Sequence, residues 1–115
     1  MSEFSLTIRT PEATEFERPV ESLVVPGPEG YFGVLARHAR MVAVVAAGVL
    51  KATCEATPVF FVVGDGVLEV GGNRALLLVD AAEAAENRAD AEERLNRYLR
   101  RLAAPAVSRA GIGNS

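Results

Sequence analysis

The chain has 115 residues, of which 50% are hydrophobic and 23% are charged, with a formal net charge of −3 and a pI near 5.2. This balance predicts one globular domain with a modest core and excludes the basic surface of a typical nucleic-acid-binding protein. The sequence contains neither an apolar run of the roughly 20 residues that span a bilayer nor a secretory signal, and its single cysteine, Cys54, fits a reducing compartment, so we expect a cytoplasmic protein.

Apolar residues that alternate with polar ones, or that cluster with valine, predict short strands over the first 80 residues. Leu6 and Ile8 alternate with polar neighbours, Phe16 points inward in the next strand, and the apolar run of residues 41–47 predicts a buried strand. Short strands separated by glycine-containing turns are typical of an antiparallel β-sandwich or barrel. The predicted core comprises Leu6, Ile8, Phe16, Leu23, Val25, Phe32, Val34, Phe60, Val62, Leu68, Leu76 and Leu78.

Residues 20–38 predict a strand, a turn and a second strand, with a glycine at every third position of the turn. Glycine lets the backbone turn where a Cβ would clash, and an elaborate turn tied to the core at both ends usually presents a binding surface. We expect four side chains to be exposed close together at one end of the sandwich, namely Glu29, Tyr31, Arg37 and His38.

After residue 80, Ala, Glu and Arg dominate, and apolar residues recur at the spacing of one helix face. Asn87 is the expected N-cap and Pro105 the expected end, followed by a short flexible tail over residues 106–115. We therefore predict a β-sandwich domain at 1–84 and a helical segment with its tail at 85–115. The apolar stripe packs either on its own sandwich, which we favour, or against a partner, and it comprises Leu95, Tyr98 and Leu102.

Side chains for catalysis are scarce. One His and one Cys cannot supply a two-histidine metal site, and neither a nucleophile elbow nor a P-loop is present. The acidic residues between 83 and 93 could share a helix face, but a solvated face is the more common role of such a pattern. We predict no catalytic, cofactor-binding or metal-binding residues.

The sequence of residues 25–38, VPGPEGYFGVLARH, resembles the signature V-x-G-x-E-G-x-[FL]-G-[VI]-[LY]-x-x-H of the epsilon subunit of F-type ATP synthases. The resemblance runs from about Leu6 to Ala82. It implies a sandwich of about ten strands followed by a C-terminal helical region. It also implies that the chain is a non-catalytic subunit of the rotating central stalk. Its implied partners are the gamma subunit and the loops of the c-ring, and it would reach the cytoplasmic side of the membrane only through the complex. The implied ring contacts are Glu29, Tyr31, Arg37 and His38.

The chain departs from the family pattern around the turn, in the family's ATP motif and, most of all, in its length. Tyr31 replaces a common acidic residue, Ala36-Arg37 replaces a usual Pro-Gly, and Arg40 replaces a usual Pro. The arginine of the family's ATP motif, Ile/Leu-Asp-x-x-Arg, is displaced to Arg94, so we expect no ATP binding. With room for one helix, we expect a short form that couples without inhibiting itself.

Two other functions remain open. One is the epsilon subunit of an alternative ATPase, including one that translocates sodium. The other, from a different class, is a free-standing β-sandwich that binds or senses a small molecule.

Overall fold

The structure, a computed structural model, describes the backbone of residues 2–113 and the side chains of residues 2–103. Its elements are β1 (Phe4–Arg9), β2 (Thr14–Val20), β3 (Ser22–Gly27), β4 (Gly30–Leu35), β5 (Met41–Val45), β6 (Gly48–Cys54), β7 (Thr57–Val63), β8 (Gly66–Gly71), β9 (Arg74–Val79), β10 (Ala82–Ala85) and α1 (Arg88–Gly113). Among these described residues, no helix combines the length and the hydropathy needed to cross a membrane.

The ten strands form two five-stranded sheets, which confirms the predicted β-sandwich. Sheet I has the order β2-β1-β9-β8-β5, and sheet II has the order β10-β7-β6-β3-β4. The strand pairs are antiparallel except for β1 and β9, which run parallel. Each sheet buries one face against the other, as antiparallel sheets commonly do.

The core lies between the sheets, where large aliphatic side chains from both layers are fully buried. The predicted core residues that are buried there are Leu6, Ile8, Leu23, Val25, Val34 and Leu68. Phe16 and Phe32 are partly buried and pack against this core. Phe60 and Val62 are also buried, but on the other face of β7, in the cluster that includes Ala91 of α1.

Strand β9 shows the reverse of the predicted alternation. Leu78 is 38% exposed and Leu76 is partly exposed, whereas Ala75, Leu77 and Val79 are buried. The prediction is wrong because every residue from 75 to 79 is apolar, so the sequence does not mark which face is inward, and a one-residue shift exchanges the two faces.

Strand β5 is also less buried than predicted. It lies at the edge of sheet I, and Val42 and Val44 are 73% and 60% exposed, while Val45 is buried. The first five residues of the apolar run 41–47 therefore form a strand with one buried and one exposed face rather than a strand buried on both.

Helix α1 begins as predicted. The Asn87 side-chain Oδ1 accepts a hydrogen bond from the Asp90 backbone N–H at 2.8 Å, as an N-cap does. The Asp90 Oδ2 atom in turn accepts one from the Glu86 backbone N–H at 2.9 Å. Two backbone donors at the start of the helix are thus satisfied by side chains from its cap and first turn.

The end of the helix differs from the prediction, because α1 continues through Pro105 to Gly113. A proline inside a helix removes one backbone donor, and its ring crowds the carbonyl of residue i−4, at a cost of about 3 kcal/mol that can kink a helix without ending it. Most of the predicted tail is therefore helical, and its last two residues, 114 and 115, lie outside the described part of the chain.

Candidate partner-binding surfaces

The four residues predicted to lie together are divided between the two ends of β4. Glu29 and Tyr31 lie at the turn before the strand and at its start, and Arg37 and His38 follow its last residue. A strand rises about 3.3 Å per residue, so the two ends of this six-residue strand lie about 17 Å apart. The prediction of a single cluster is wrong, because the extended strand β4 separates Glu29 and Tyr31 from Arg37 and His38.

The turn between β3 and β4 is well fixed and exposed. The Ala46 backbone N–H donates to the Pro26 carbonyl oxygen at 3.0 Å, which ties the turn to the end of β5. Gly30 has φ +124°, a conformation that a side chain would strain. Glu29 is exposed, Tyr31 is 60% exposed, and the turn and Val44 line a shallow cavity of about 320 Å³.

At the opposite end, Arg37 and Asn73 connect three segments. Arg37 is a non-glycine residue with φ +60°, and its backbone N–H donates to the Asn73 side-chain Oδ1 at 2.8 Å. The Asn73 Nδ2 group donates to the Glu3 carbonyl oxygen at 2.8 Å. The Arg37 guanidinium also donates to the Ser2 hydroxyl oxygen at 3.2 Å. These bonds fix the segment after β4 against the start of the chain and the β8–β9 turn.

His38 is half-buried rather than exposed as predicted. Its ring Nδ1–H donates to the Ala39 carbonyl oxygen at 2.7 Å, and its backbone N–H donates to the Leu35 carbonyl oxygen at 3.2 Å. The ring is thus engaged by the local turn, which explains why it does not project into solvent.

The outer face of sheet I carries an apolar surface that the sequence did not reveal. Val44 pairs with Val67, and Val67 pairs with Leu78 on the next strand, so their side chains lie side by side across three strands. Within the described part of the chain, the helix packs on sheet II and leaves this face uncovered. We call it the apolar face of sheet I, and it comprises Val42, Val44, Val67, Leu76 and Leu78.

The outer face of sheet II is covered by helix α1. Ala91 is completely buried, and Leu95 and Tyr98 pack with it on the sheet residues Val49, Phe60 and Val62. The Tyr98 hydroxyl fits against Gly64, where an added Cβ would lie 2.5 Å from it. Leu95 and Tyr98 therefore pack on the chain's own sandwich, the favoured alternative for the apolar stripe.

Leu102, the third residue of the stripe, is 57% exposed. Because α1 extends beyond the sheet it covers, this part of the helix projects from the sandwich, and the longest dimension of the molecule is 59 Å against 27 Å for the other two. Of the three residues of the stripe, Leu102 is therefore the one whose side chain is left available to a partner.

Two of the acidic residues near α1, Asp90 and Glu83, bind an arginine. Arg94 donates to Asp90 Oδ2 at 2.9 Å and forms an ion pair with Glu83 on β10. The Glu86 N–H and then Arg94 hold the pKa of Asp90 below its usual range. In the described residues, no three His, Cys, Asp or Glu side chains form a group that could hold a metal ion.

The model of the family "ATP synthase, Delta/Epsilon chain, beta-sandwich domain" matches residues 3–85. The ATP synthase epsilon chain of Symbiobacterium thermophilum is 42% identical over 88 residues, covering 76% of this chain and 63% of that relative. The ATP synthase epsilon chain of Moorella thermoacetica is 35% identical over 108 residues, covering 87% of this chain and 79% of that relative. The chain thus spans less than two thirds of some relatives that it matches.

Solved structures show the same fold at lower identity. A chain in the cryo-EM structure of the Euglena gracilis mitochondrial ATP synthase, OSCP/F1/c-ring, has a TM-score of 0.71 at 23% identity, covering 90% of this chain and 66% of that one. A chain in the central stalk/c-ring structure of the Tetrahymena thermophila mitochondrial ATP synthase has a TM-score of 0.59 at 16% identity, covering 69% and 64%. The family match over the sandwich, joined to these epsilon-chain relatives, shows that the chain belongs to the ATP synthase epsilon chain family.

Proposed function

We propose that this chain is a non-catalytic subunit of the central stalk of an F-type ATP synthase, where it links the gamma subunit to the c-ring and couples ion flow to ATP synthesis and hydrolysis. The observation that carries the proposal is the asymmetry of the sandwich. One outer face is covered by the chain's own helix, and the other leaves apolar side chains exposed on three strands, with Glu69 between Val42 and Leu76. Exposed apolar patches of this kind mark protein interaction sites.

The gamma subunit is the proposed occupant of the apolar face of sheet I. Val42 and Val44 belong to an edge strand that is exposed and apolar, which is an aggregation hazard unless another protein covers it. A stable partner would remove this hazard, and a face spread over three paired strands offers a rigid surface to it. Rigidity suits a rotor component, because a soft contact would absorb torque rather than transmit it.

The β3–β4 turn is the proposed contact with the c-ring. It projects Glu29 and Tyr31, and its backbone is fixed by the hydrogen bond between Ala46 and Pro26. Arg37 and His38 lie at the other end of β4, so they belong to a different contact. The chain would join the membrane, on its cytoplasmic side, through these subunits alone.

The experiment titrates the chain against the purified gamma subunit of the same ATP synthase and measures binding by biolayer interferometry. Val44→Asp places a charge on the exposed side of β5, within the apolar face, and should weaken binding about tenfold, because a charge buried in an interface without a partner is costly. Leu99→Asp is the matched control, since Leu99 is 43% exposed on α1, away from this face. Equal binding by the Val44 variant and wild type, or no binding by wild type, would refute the proposal.

A further inference from the structure

Strand β5 leaves one of its two edges unpaired. It lies at the end of sheet I, where it pairs with β8, and in the described part of the chain no strand pairs with its other side. Its outward side chains, Val42 and Val44, are exposed, and the cavity of about 320 Å³ between Val44 and the β3–β4 turn leaves space beside this edge. An exposed, apolar edge strand offers its unpaired backbone groups to a strand of another chain.

Two hydrogen bonds show which backbone groups of β5 face the free edge. The Ala47 N–H donates at 2.9 Å to the side chain of Asp65, which precedes β8. The Ala46 N–H, one residue earlier, donates at 3.0 Å to a carbonyl oxygen of β3, on the opposite side. Successive backbone groups of a strand point to opposite edges. The N–H and C=O groups of Val42 and Val44, which alternate in phase with those of Ala46, therefore point to the free edge.

A second copy of β5 fits this edge in an antiparallel register with a two-fold axis at Ala43. In this register, Val42 of each copy lies opposite Val44 of the other, so each pair of valines exchanges both of its N–H···O bonds. The side chains of the same valines contact each other on the outer face of the joined sheet. On the inner face, the axis passes between two alanines, whose small side chains allow a close approach.

The charges at the two ends of β5 complement each other in this arrangement. Before the strand, Arg40 and Arg74 line a groove together with Glu69, so positive charge is in excess there. After the strand, Asp65 and Asp80 lie together, joined by a backbone hydrogen bond of 2.9 Å, so that end is acidic. Antiparallel pairing brings the positive end of each copy to the acidic end of the other. Unlike charges therefore meet at both ends of the interface, which fixes its register.

The other strand edges of the sandwich are less suited to pairing with a copy of themselves. On β2, Glu15 and Glu17 are exposed and would face each other across a two-fold axis, and Pro19 lacks a donor. Strand β10 is short, and its Glu83 already forms an ion pair with α1. Strand β4 contains two glycines, which weaken a strand because they supply no side chain to pack.

We propose that two copies of the chain, when other subunits are absent, pair through β5 into a symmetric dimer. The dimer joins the two five-stranded copies of sheet I into one continuous sheet and covers Val42 and Val44. Because each copy has one β5 edge, association closes at two copies. The inference goes beyond the proposed function and does not depend on it. Where gamma also packs on the apolar face of sheet I, the two associations exclude each other, and the dimer protects the apolar edge until assembly.

Sedimentation velocity of the full chain alone tests the dimer. The interface is small, so we expect a monomer–dimer equilibrium with a dissociation constant on the order of 10 µM. Val42→Pro removes a donor from the free edge, not from the pairing with β8, and should weaken the dimer about tenfold or more. Val42→Thr is the matched control, because it keeps the donor and the branched shape and should change the constant less than about threefold. A wild type that stays monomeric well above this concentration, or that forms only larger aggregates, would overturn the inference.

Charge variants test the complementarity of the two ends. Arg40→Glu brings like charges together at both ends and should weaken the dimer about tenfold, whereas Arg100→Glu, at an exposed position on α1, should have little effect. Adding Asp65→Arg to Arg40→Glu restores unlike charges and should recover most of the lost affinity. Positions 40 and 65 lie at opposite ends of β5 in a single chain, so an effect on folding alone would not give this recovery. A double variant that dimerises no better than Arg40→Glu would contradict the charge pairing.

A cysteine at position 43 tests the register without a change in charge. The two-fold axis places the two copies of this position opposite each other, with Cα atoms about 4.5 Å apart, within the range of a disulfide. Val67→Cys is the matched control, because β8 lies one strand further from the axis in each copy, which separates its two copies by about 14 Å. The native Cys54 is buried. Under mild oxidation, Ala43→Cys should cross-link much faster than Val67→Cys, and equal rates would overturn the proposed interface.

The outcomes separate this inference from the proposed function. If the chain is monomeric alone but binds gamma in the interferometry titration, the inference fails and the proposed function stands. If the chain forms the β5 dimer but does not bind gamma, the proposed function fails and the inference stands. If both associations occur, added gamma should dissolve the dimer, and a complex of gamma with the intact dimer would contradict their mutual exclusion.

Discussion

Substitution of Ala91 by aspartate should detach helix α1 from sheet II without unfolding the sandwich. The Ala91 side chain is completely buried between the helix and the sheet, where it packs with Phe60 and Val62. An aspartate at this position must either bury its carboxylate, which costs several kcal/mol, or move the helix away from the sheet. The cluster around position 91 is apolar, and the Arg88 guanidinium lies at its margin, 5.1 Å from the centroid of the Phe60 ring.

The contacts of the helix set the magnitude of this effect. Complete burial of one large apolar side chain contributes about 1.5–3 kcal/mol. Undocking would partly expose Val49, Phe60 and Val62 and free Leu95, so the docked state is favoured by roughly 3–5 kcal/mol on that scale. The cost of a buried carboxylate is of the same order, so it offsets most of this preference, and we expect the helix to be undocked in a substantial fraction of the molecules.

The assay combines limited proteolysis with dye binding. In the Ala91→Asp variant, trypsin should cleave at the arginines of α1 much faster than in wild type, and a dye that reports exposed apolar surface should gain fluorescence. Ala89→Asp is the matched control, because Ala89 is exposed two residues earlier on the same helix. Identical cleavage rates for the two variants would refute the expectation that the Ala91 variant undocks the helix. Global unfolding of the Ala91 variant would refute the expectation that the sandwich stays folded without it.

Three further outcomes follow from local geometry. Ala56 has φ +63° in the β6–β7 turn, so Ala56→Gly should raise the free energy of unfolding by about 1 kcal/mol in urea titrations, and a decrease would contradict the strain. The pKa of Asp90 is lowered from its usual value of 3.8, so its carboxylate stabilises the fold above that pH and loses this effect as the pH falls further. In the Asp90→Asn variant, the free energy of unfolding should therefore fall less steeply with decreasing pH in this range. Calorimetric titration should detect no ATP binding, because Arg94 already pairs with Asp90 and Glu83, and stoichiometric tight binding would contradict this.

The sequence predicts a strand's inward face where polar and apolar residues alternate. In β1, the alternation of Leu6 and Ile8 with polar residues identifies the buried side, and the structure confirms it. In β9, the apolar residues occupy both faces, and the phase is fixed only by pairing with β1 and β8. That pairing joins residues distant in the sequence, which local patterns do not specify.

The same limit applies to the binding surfaces. The apolar face of sheet I combines Val44, Val67 and Leu78 from three strands, and no short window of the sequence contains all of them. The exposed turn is predictable because the glycines of one short segment mark it. Closeness in the sequence also suggests a single cluster, but β4 holds Tyr31 and Arg37 at opposite ends.

The central claim is that the apolar face of sheet I, rather than the projecting helix, meets the gamma subunit in an assembled ATP synthase. A photo-activatable phenylalanine analogue placed at position 44, 102 or 29 of the full chain would identify the neighbour of each site in the purified complex by mass spectrometry. We predict an adduct with gamma from position 44 and an adduct with the c-ring from position 29. Adducts with gamma from position 102 alone, or failure of the chain to enter the complex, would contradict the claim.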